Sequence, residues 1–506
     1  MKLLGLRLSE HDSNISYFDG KEVKYFKSER IKNIKHHAYD ELDTWKQEIK
    51  TIFDVDYKEI DEIAIVIDPY RHNLPMDQEG FFPAVLYNYL ELDSKVYRVD
   101  HHYAHSLSTW MLEDKPSDIS IVIDGFGDND TTISVIKDNK ILLNTFAKTQ
   151  GSIGIEMADC GRKLGITASS GLDIAGKLMG LQSYGSIDKE YLDFLQKFDL
   201  FSVKELFNIE HWRSYKKHIL LADMFIVNWI TTVHFRVGQL LLELFKTYCN
   251  KNDFISFSGG VAQNVIWNTL LKDYFPNLII PPHSGDEGLS LGAIEYLRIK
   301  NSLPKFKIKN FPYSQMDQAP KETVSNKTIK RAAKALAEGK IIAWYQGNGE
   351  IGARALGNRS ILMDPRIING KDKINSVKNR ENYRPFGASI LKEYSSKYFS
   401  YENPYMLYVT KTNKNEYDAI THIDGTCRLQ TVDKNNEKFF KLMQEFNRLT
   451  GCPILLNTSL NLNGYPIAGT IEDAKSLFLN TNIDCLVIGD IFLEKKIIKE
   501  IKNNLI

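Results

Sequence analysis

Asp118-Ile119-Ser120-Ile121-Val122-Ile123-Asp124-Gly125-Phe126-Gly127-Asp128, followed by residues 131–137 and 141–147 across the turn Asp138-Asn139, decides the fold class of this 506-residue chain. The apolar run reads as a buried strand that delivers Asp124 at its end, and the two segments after it complete a strand meander. The same order opens the chain, with strands expected over residues 3–8, 15–18 and 23–27 and a turn at Asp19-Gly20. Two half-domains that each begin this way make an α/β fold, and their recurrence is what a duplicated nucleotide-binding fold would produce.

Working outward, further strands are expected over residues 60–67 and 95–99, a helix over 81–92, and another helix starting near His101. Apolar residues recur at three and four positions from Leu220 to Tyr248, the pattern of a packing helix. Pro304, Pro312 and Pro320 mark 302–326 as a linker, after which residues 328–338 read as a helix and 341–345 as a strand. Length alone favours about two to four domains. With 43% hydrophobic and 25% charged residues the composition is that of a globular protein, and no apolar run approaches the roughly 20 residues that span a bilayer. The first residues meet Arg7 and Glu10 at once and do not read as a signal peptide, so a cytoplasmic protein with no membrane partner is expected. Five cysteines without paired spacing exclude a disulfide framework, and 64 basic residues balance 64 acidic ones, leaving no global field for nucleic acid.

Several motifs carry candidate chemistry. In His101-His102-Tyr103-Ala104-His105 the outer histidines lie one helical turn apart on one face; with Asp124 they suit a divalent transition metal, and they equally suit hydrogen-bonded packing. Ser258-Gly259-Gly260-Val261-Ala262-Gln263-Asn264 follows a strand and precedes a helix, as a phosphate-binding turn or a tight connection does. Asp286 in Pro281-Pro282-His283-Ser284-Gly285-Asp286 is either a helix cap or a further ligand. Lys177, among Gly176, Gly180 and Gly185, suits a phosphate contact or a turn-rich surface segment. Arg354, Lys378, Arg380, Arg384 and Arg428 sit in short polar inserts that build either a polyanion pocket or a set of surface salt bridges. Asn457-Thr458-Ser459 is expected just after a buried strand, as a loop for a phosphate or an amide.

Taken in order, these motifs resemble the NodU/CmcH family of O-carbamoyltransferases. The likeness runs from Gly5 and His11-Asp12-Ser13 through Glu29-Arg30 and Lys35-His36 to Asn457-Thr458-Ser459, and its most specific pieces are the His101–His105 motif, Gly352-Ala353-Arg354-Ala355-Leu356-Gly357, Arg384-Pro385-Phe386 and Asn457-Thr458-Ser459. The resemblance implies a duplicated actin-like ATPase (ASKHA) domain over residues 1–315 and a YrdC-like α/β domain over 325–506. It implies that carbamoyl phosphate and ATP form carbamoyl-adenylate in the second domain, and that the first transfers the carbamoyl group to an acceptor hydroxyl with a metal, iron in the family, while Mg2+ accompanies ATP.

By motif match His101, His105, Asp124 and Asp286 would hold the metal, and Gly259, Gly260 and Asn264 would lie against the nucleotide. His11 would serve the acceptor hydroxyl as base or orienting group with Asp12 and Lys35 alongside. Arg354, Lys378, Arg384, Arg428 and Ser459 would hold the phosphates. The acceptor would be a small molecule, a sugar, or a hydroxymethylated nucleotide free or in DNA; nucleic acid enters only in that role, and the sequence does not set an oligomeric state. Residues 39–45 and Ser284-Gly285 depart from the family pattern, so acceptor identity is what carries over least. A fused tRNA threonylcarbamoyl-adenosine enzyme and a non-catalytic nucleotide-binding protein are the competing readings.

Overall fold

The computed structural model describes residues 1–8, 10–39, 43–67, 84–87, 94–112, 116–398, 401–413 and 415–495. The chain divides into two compact units, Met1–Tyr25 with Ala38–Ile308, and Phe26–His37 with Lys309–Ile506. The second unit thus includes a short segment from near the N-terminus, whereas the expected division was a single one between 315 and 325. Lys27 N–H donates to Gln315 Oε1 at 3.1 Å, and Arg30 donates to the Gly352 carbonyl at 3.1 Å.

The first sheet contains β1 (Leu3–Arg7), β2 (Asn14–Phe18), β3 (Val23–Lys27), β4 (Glu62–Val66), β5 (Ala84–Tyr87) and β6 (Lys95–Val99), in the order β3-β2-β1-β4-β6-β5. The second contains β7 (Ile119–Ile123), β8 (Thr131–Lys137), β9 (Lys140–Phe146), β10 (Ile255–Ser258) and β11 (Leu278–Ile279), in the order β11-β10-β7-β8-β9. β1 pairs antiparallel with β2 and parallel with β4; β7 pairs antiparallel with β8 and parallel with β10. β6 and β11 extend the parallel sides. The recurrence expected from the two meanders is therefore present in the topology. β1, β4 and β7 are buried along their whole length, which is why they read as near-continuous apolar runs.

Two sequence expectations are corrected. Ala84–Tyr87 is a strand paired antiparallel with β6, because ladder hydrogen bonds override the local periodicity that reads as a helix; the rest of 81–92 lies outside the described residues. The long apolar segment breaks at Phe225 into the helices Ile219–Met224 and Ile226–Tyr248.

Asp100 caps the His101–Trp110 helix by accepting the Tyr103 N–H at 2.9 Å. This helix packs against Leu289–Lys300, where an added Cβ at Gly292 would stand 1.8 Å from the Ala104 carbonyl oxygen. That approach places the two histidines beside the start of the second helix. Gly292→Ala is expected to cost about 3 kcal/mol in urea unfolding, since neither backbone can yield without moving its helix; an unchanged midpoint would show that the approach is not required.

The second unit is built on one sheet of β12 (Ile342–Tyr345), β13 (Arg359–Met363), β14 (Gly387–Leu391), β15 (Val409–Lys411), β16 (Thr426–Val432), β17 (Ile454–Ser459), β18 (Cys485–Ile488) and β19 (Ile491–Glu494), ordered β15-β16-β14-β17-β13-β12-β18-β19. Its pairing is mixed, with β14 parallel to β16 and β12 parallel to β18. Helices Asn326–Ala337 and Glu437–Thr450 pack together, each capped by a side chain, Ser325 and Asn436. Among the described residues no helix is long and apolar enough to cross a membrane.

Candidate functional site

In the first unit His101, His105, Asp124 and Asp286 come together, all buried, each offering one ligand atom within 4.8 Å of the others. His105 Nε2 lies 2.9 Å from Asp124 Oδ2 and 3.4 Å from Asp286 Oδ1; His101 Nε2 lies 3.2 and 3.4 Å from the same two oxygens. Asp286 is therefore not a helix cap. Its carboxylate faces the imidazoles and Arg7, and the N-cap position of the Leu289–Lys300 helix is Gly288. His102, between the two, is different in kind: its Nδ1 meets Ser134 Oγ at 2.7 Å, and burial pushes its pKa down to about 3.

Each carboxylate divides its oxygens. Asp124 Oδ1 accepts the N–H groups of Gly125 at 2.7 Å and Gly260 at 3.1 Å, leaving Oδ2 toward the imidazoles. Asp286 Oδ2 faces Arg7 NH2 at 3.0 Å and His11 Nε2 at 3.7 Å, leaving Oδ1 toward the imidazoles. The donor set fits a divalent transition metal, because nitrogen and oxygen ligands held about 2.0–2.2 Å from one ion stand about 3–3.5 Å apart. The hydrogen bonds on the outward oxygens supply the support that such ligands require. Burial alone would lower His101 and His105, but the Asp286 and Asp124 carboxylates outweigh it and raise both. Burial opposes ionisation of Asp286, yet His101, His11 and Arg7 hold it well below the usual carboxylate range.

His11 stands beside this cluster, its Nδ1 2.9 Å from Asp12 Oδ2. Asn14, which sequence reasoning missed, donates to the backbone oxygens of Asp12 at 2.6 Å and Asp286 at 2.9 Å and accepts the Ser290 N–H at 3.0 Å. It clamps the His11 loop to the Asp286 turn. Arg7 was missed as well; a buried charge in the otherwise apolar β1 was its only signal.

Gly259 has φ +92°, and a Cβ there would lie 2.2 Å from the Ile123 carbonyl oxygen, so the turn needs glycine to pass behind Asp124. Asn264 has both ends of its side chain committed: Oδ1 caps the Val265–Tyr274 helix, and Nδ2 meets His234 Nε2 at 2.9 Å. Burial pushes His234 down to about 3 against that hydrogen bond, and its ring stacks on Trp267. An unfolded histidine titrates near 6.5, so between about pH 6.5 and 3 the unfolded chain binds a proton that the folded one refuses. Stability from this group is present above pH 6.5 and lost on acidification, with a slope approaching ~1.4 kcal/mol per pH unit. His234→Gln is expected to flatten the fall in urea stability between pH 7 and 4.5; an unaltered slope would remove His234 from the acid response. Lys177 lies within the Ile174–Leu181 helix, not a turn-rich surface, and its ammonium donates to the Thr167 carbonyl at 2.6 Å.

The second unit gathers cations. Lys378 is pushed well below the ordinary lysine value by burial and by the charges of Arg380, Arg384 and Lys35. Arg380 is pushed down by burial, Arg384 and Arg428, and Arg428 by burial, with Arg384 adding, to about 10. The residues differ in what they already hold. Lys378 donates to both Ser459 and Asn461, reaching Asn461 Oδ1 at 2.7 Å and Ser459 Oγ at 3.2 Å. Arg380 binds Asn375 Oδ1 at 2.6 Å and the Pro385 carbonyl at 2.9 Å and lies over the Phe386 ring. Arg384 reaches Asn463 Oδ1 at 3.4 Å, while Arg428 Nε is buried with no hydrogen-bond partner. Arg354 is on a loop whose shape is set by Glu350, whose Oε1 accepts the N–H groups of Leu356, Asn358 and Arg359.

Asn457-Thr458-Ser459 lies inside β17, not after it, because its backbone continues the ladder with β13. Asn457 is buried and donates to Ser389 Oγ at 2.9 Å and Gln430 Oε1 at 3.3 Å, a core network.

Residues 89–295 match the family model described as Carbamoyltransferase N-terminus, and 333–495 that described as Carbamoyltransferase C-terminus. Nodulation protein NolNO of Sinorhizobium fredii is 30% identical over 481 residues, covering 85% of this chain and 69% of that protein. Nodulation protein NolO of Bradyrhizobium diazoefficiens is 31% identical over 445 residues, 79% of each. The chain belongs to the carbamoyltransferase family. This carbamoyltransferase is accordingly an enzyme that transfers carbamoyl groups. The 3'-hydroxymethylcephem-O-carbamoyltransferase of Amycolatopsis lactamdurans is 31% identical over 272 residues, 51% of this chain and 52% of that protein.

Proposed function

We propose that the chain is an ATP-dependent O-carbamoyltransferase working in two stages, one in each unit. The observation that carries the reading is the separation of two chemistries. The second unit concentrates Lys35, Lys378, Arg380, Arg384 and Arg428, while the first concentrates buried imidazoles and carboxylates.

In the second unit, of YrdC-like type, water cleaves carbamoyl phosphate to carbamate and phosphate. A carbamate oxygen then attacks the α-phosphorus of Mg2+-bound ATP, forming carbamoyl-adenylate and releasing pyrophosphate. Negative charge develops on phosphate oxygens in both steps, so planar guanidiniums and an ammonium stabilise them. Arg384 and Arg428 are the groups with donors to spare; Lys378 and Arg380 hold the walls, through Ser459, Asn461 and the 384–386 loop. Lys35 belongs with this cluster in the proposal, since its charge acts on Lys378.

In the first unit, of actin-like type, Gly259 and Gly260 lie against the nucleotide. Asp12 orients His11, which takes the proton of the acceptor hydroxyl as its oxygen attacks the carbamoyl carbon and AMP leaves. His101, His105, Asp124 and Asp286 would hold a divalent cation, iron by family likeness, supplying Lewis acidity toward the carbonyl or acceptor oxygen. The acceptor is a hydroxyl of a small molecule, a sugar or a hydroxymethylated nucleotide. Incubation with carbamoyl phosphate, α-labelled ATP and Mg2+ is expected to yield AMP and pyrophosphate; absence of both, with and without Fe2+, rejects the reading.

A further inference from the structure

The Asp286 carboxylate is pulled two ways, with Oδ1 3.4 Å from both imidazole Nε2 atoms and Oδ2 3.0 Å from Arg7 NH2. Arg7 is itself buried at the end of β1, and its hydrogen bonds run through that one terminal nitrogen, to Asp286 and to Glu10 Oε2 at 2.6 Å. Its Nε and NH1 are buried with no hydrogen-bond partner. A guanidinium sealed in with two nitrogens unmet is a poor packing element, since the leucines at positions 3, 4 and 6 of the same strand bury without that penalty. What the arginine does that a leucine cannot is occupy the outward oxygen of Asp286.

We propose that Arg7 is a positioning residue of the cation centre, acting through Asp286. The inference rests on the reading of His101, His105, Asp124 and Asp286 as cation ligands. By holding Oδ2, Arg7 fixes the carboxylate plane and leaves a single oxygen on the imidazole side, matching the way Gly125 and Gly260 hold Oδ1 of Asp124. Glu10 balances the remaining charge on Arg7 and keeps its NH2 at the turn. His11 Nε2, 3.7 Å from the same Oδ2, is kept from closing on Asp286 and stays available beyond it.

Charge and positioning make opposite predictions here. A buried cation beside a divalent ion repels it, so if Arg7 only balanced charge, neutralising it would tighten metal binding. If Arg7 positions Asp286, neutralising it loosens binding although a repulsion is gone.

The test is titration of the metal-free 506-residue protein with Co2+, following both affinity and the visible ligand-field spectrum. Arg7→Met is expected to weaken binding by about ten- to a hundredfold, the range for lost support of a ligand, and to alter the spectrum. Arg7→Lys, which keeps the charge and one donor, is expected to fall between that variant and the parent. In an Asp286→Asn background Arg7→Met should change the affinity no further, because its effect passes through the missing carboxylate. Binding by Arg7→Met as tight as or tighter than the parent with the parent's spectrum overturns the proposal, as do effects that simply add in the double variant. If Arg7→Met does not fold, Arg7→Lys decides alone: weakened binding supports the proposal and parental binding overturns it. A parent protein that binds no Co2+ instead sinks the cation-site reading itself, and the proposal with it.

Discussion

Arg428→Ala is expected to reduce release of pyrophosphate from ATP and carbamoyl phosphate by about a hundred- to a thousandfold, the usual cost of losing one preorganised charge-stabilising group. Arg428 lies on β16, opposite Gly387 of β14 and Val409 of β15, in the middle of a ladder that fixes its position. Its Nε is buried without a partner, and burial together with Arg384 lowers its pKa to about 10. At neutral pH it therefore remains a cation in surroundings that favour an anion beside it. Lys378 and Arg380, by contrast, already spend their donors on protein oxygens. Their replacement is expected to disturb the 459–461 and 384–386 loops as well as the chemistry. Labelled pyrophosphate measured at saturating ATP separates the two kinds of variant, and near-parental release from Arg428→Ala would place the phosphates elsewhere.

His105→Ala is expected to do the reverse. Carbamoylation of an acceptor hydroxyl should fall by about a thousandfold, some 4 kcal/mol of transition-state stabilisation, while pyrophosphate release continues. His105 Nε2 is 2.9 Å from Asp124 and 3.4 Å from Asp286, so its loss leaves two buried carboxylates sharing one imidazole. The metal-free variant should consequently unfold at a lower temperature than the parent, because a broken buried pair costs more than it contributed when intact. The signature is ATP turnover without carbamoylated product, read by mass spectrometry of the acceptor. Loss of both half-reactions together in this variant, with the fold retained, would count against two separate stages.

The legible part of the site was the part that is local in sequence. A five-residue apolar strand ending in Asp124 and a histidine pair at helical spacing are each defined within one element, so their geometry follows from strand and helix periods. Asp286 is ambiguous between cap and ligand in the sequence, and the ambiguity is resolved only by His101, His105 and Arg7, all distant in sequence, Arg7 by 279 residues. The arginine-rich inserts read equally as a polyanion pocket or as surface salt bridges; Lys378, Arg380, Arg384 and Arg428 lie near enough to act on one another's charge, and which of them are committed depends on where Asn375, Ser459 and Asn461 fall in the fold. Asn264 and Asn457 show the same limit: a polar residue after an apolar run can face a ligand or complete a cap or core network, and local pattern is identical in the two cases.

By itself, then, the sequence determined the α/β class, the repeated meander, the histidine pair with its strand-borne aspartate, and membership of a carbamoyltransferase family, since each is written in periods and motifs a few residues long. Only the tertiary structure decided that Asp286 closes the cluster, that Arg7 and Asn14 hold it, and that Phe26–His37 groups with the second unit and brings Lys35 to its cations. Those outcomes depend on close approach between distant segments, as at Gly292 and Ala104, where the absence of a side chain sets how near two backbones come.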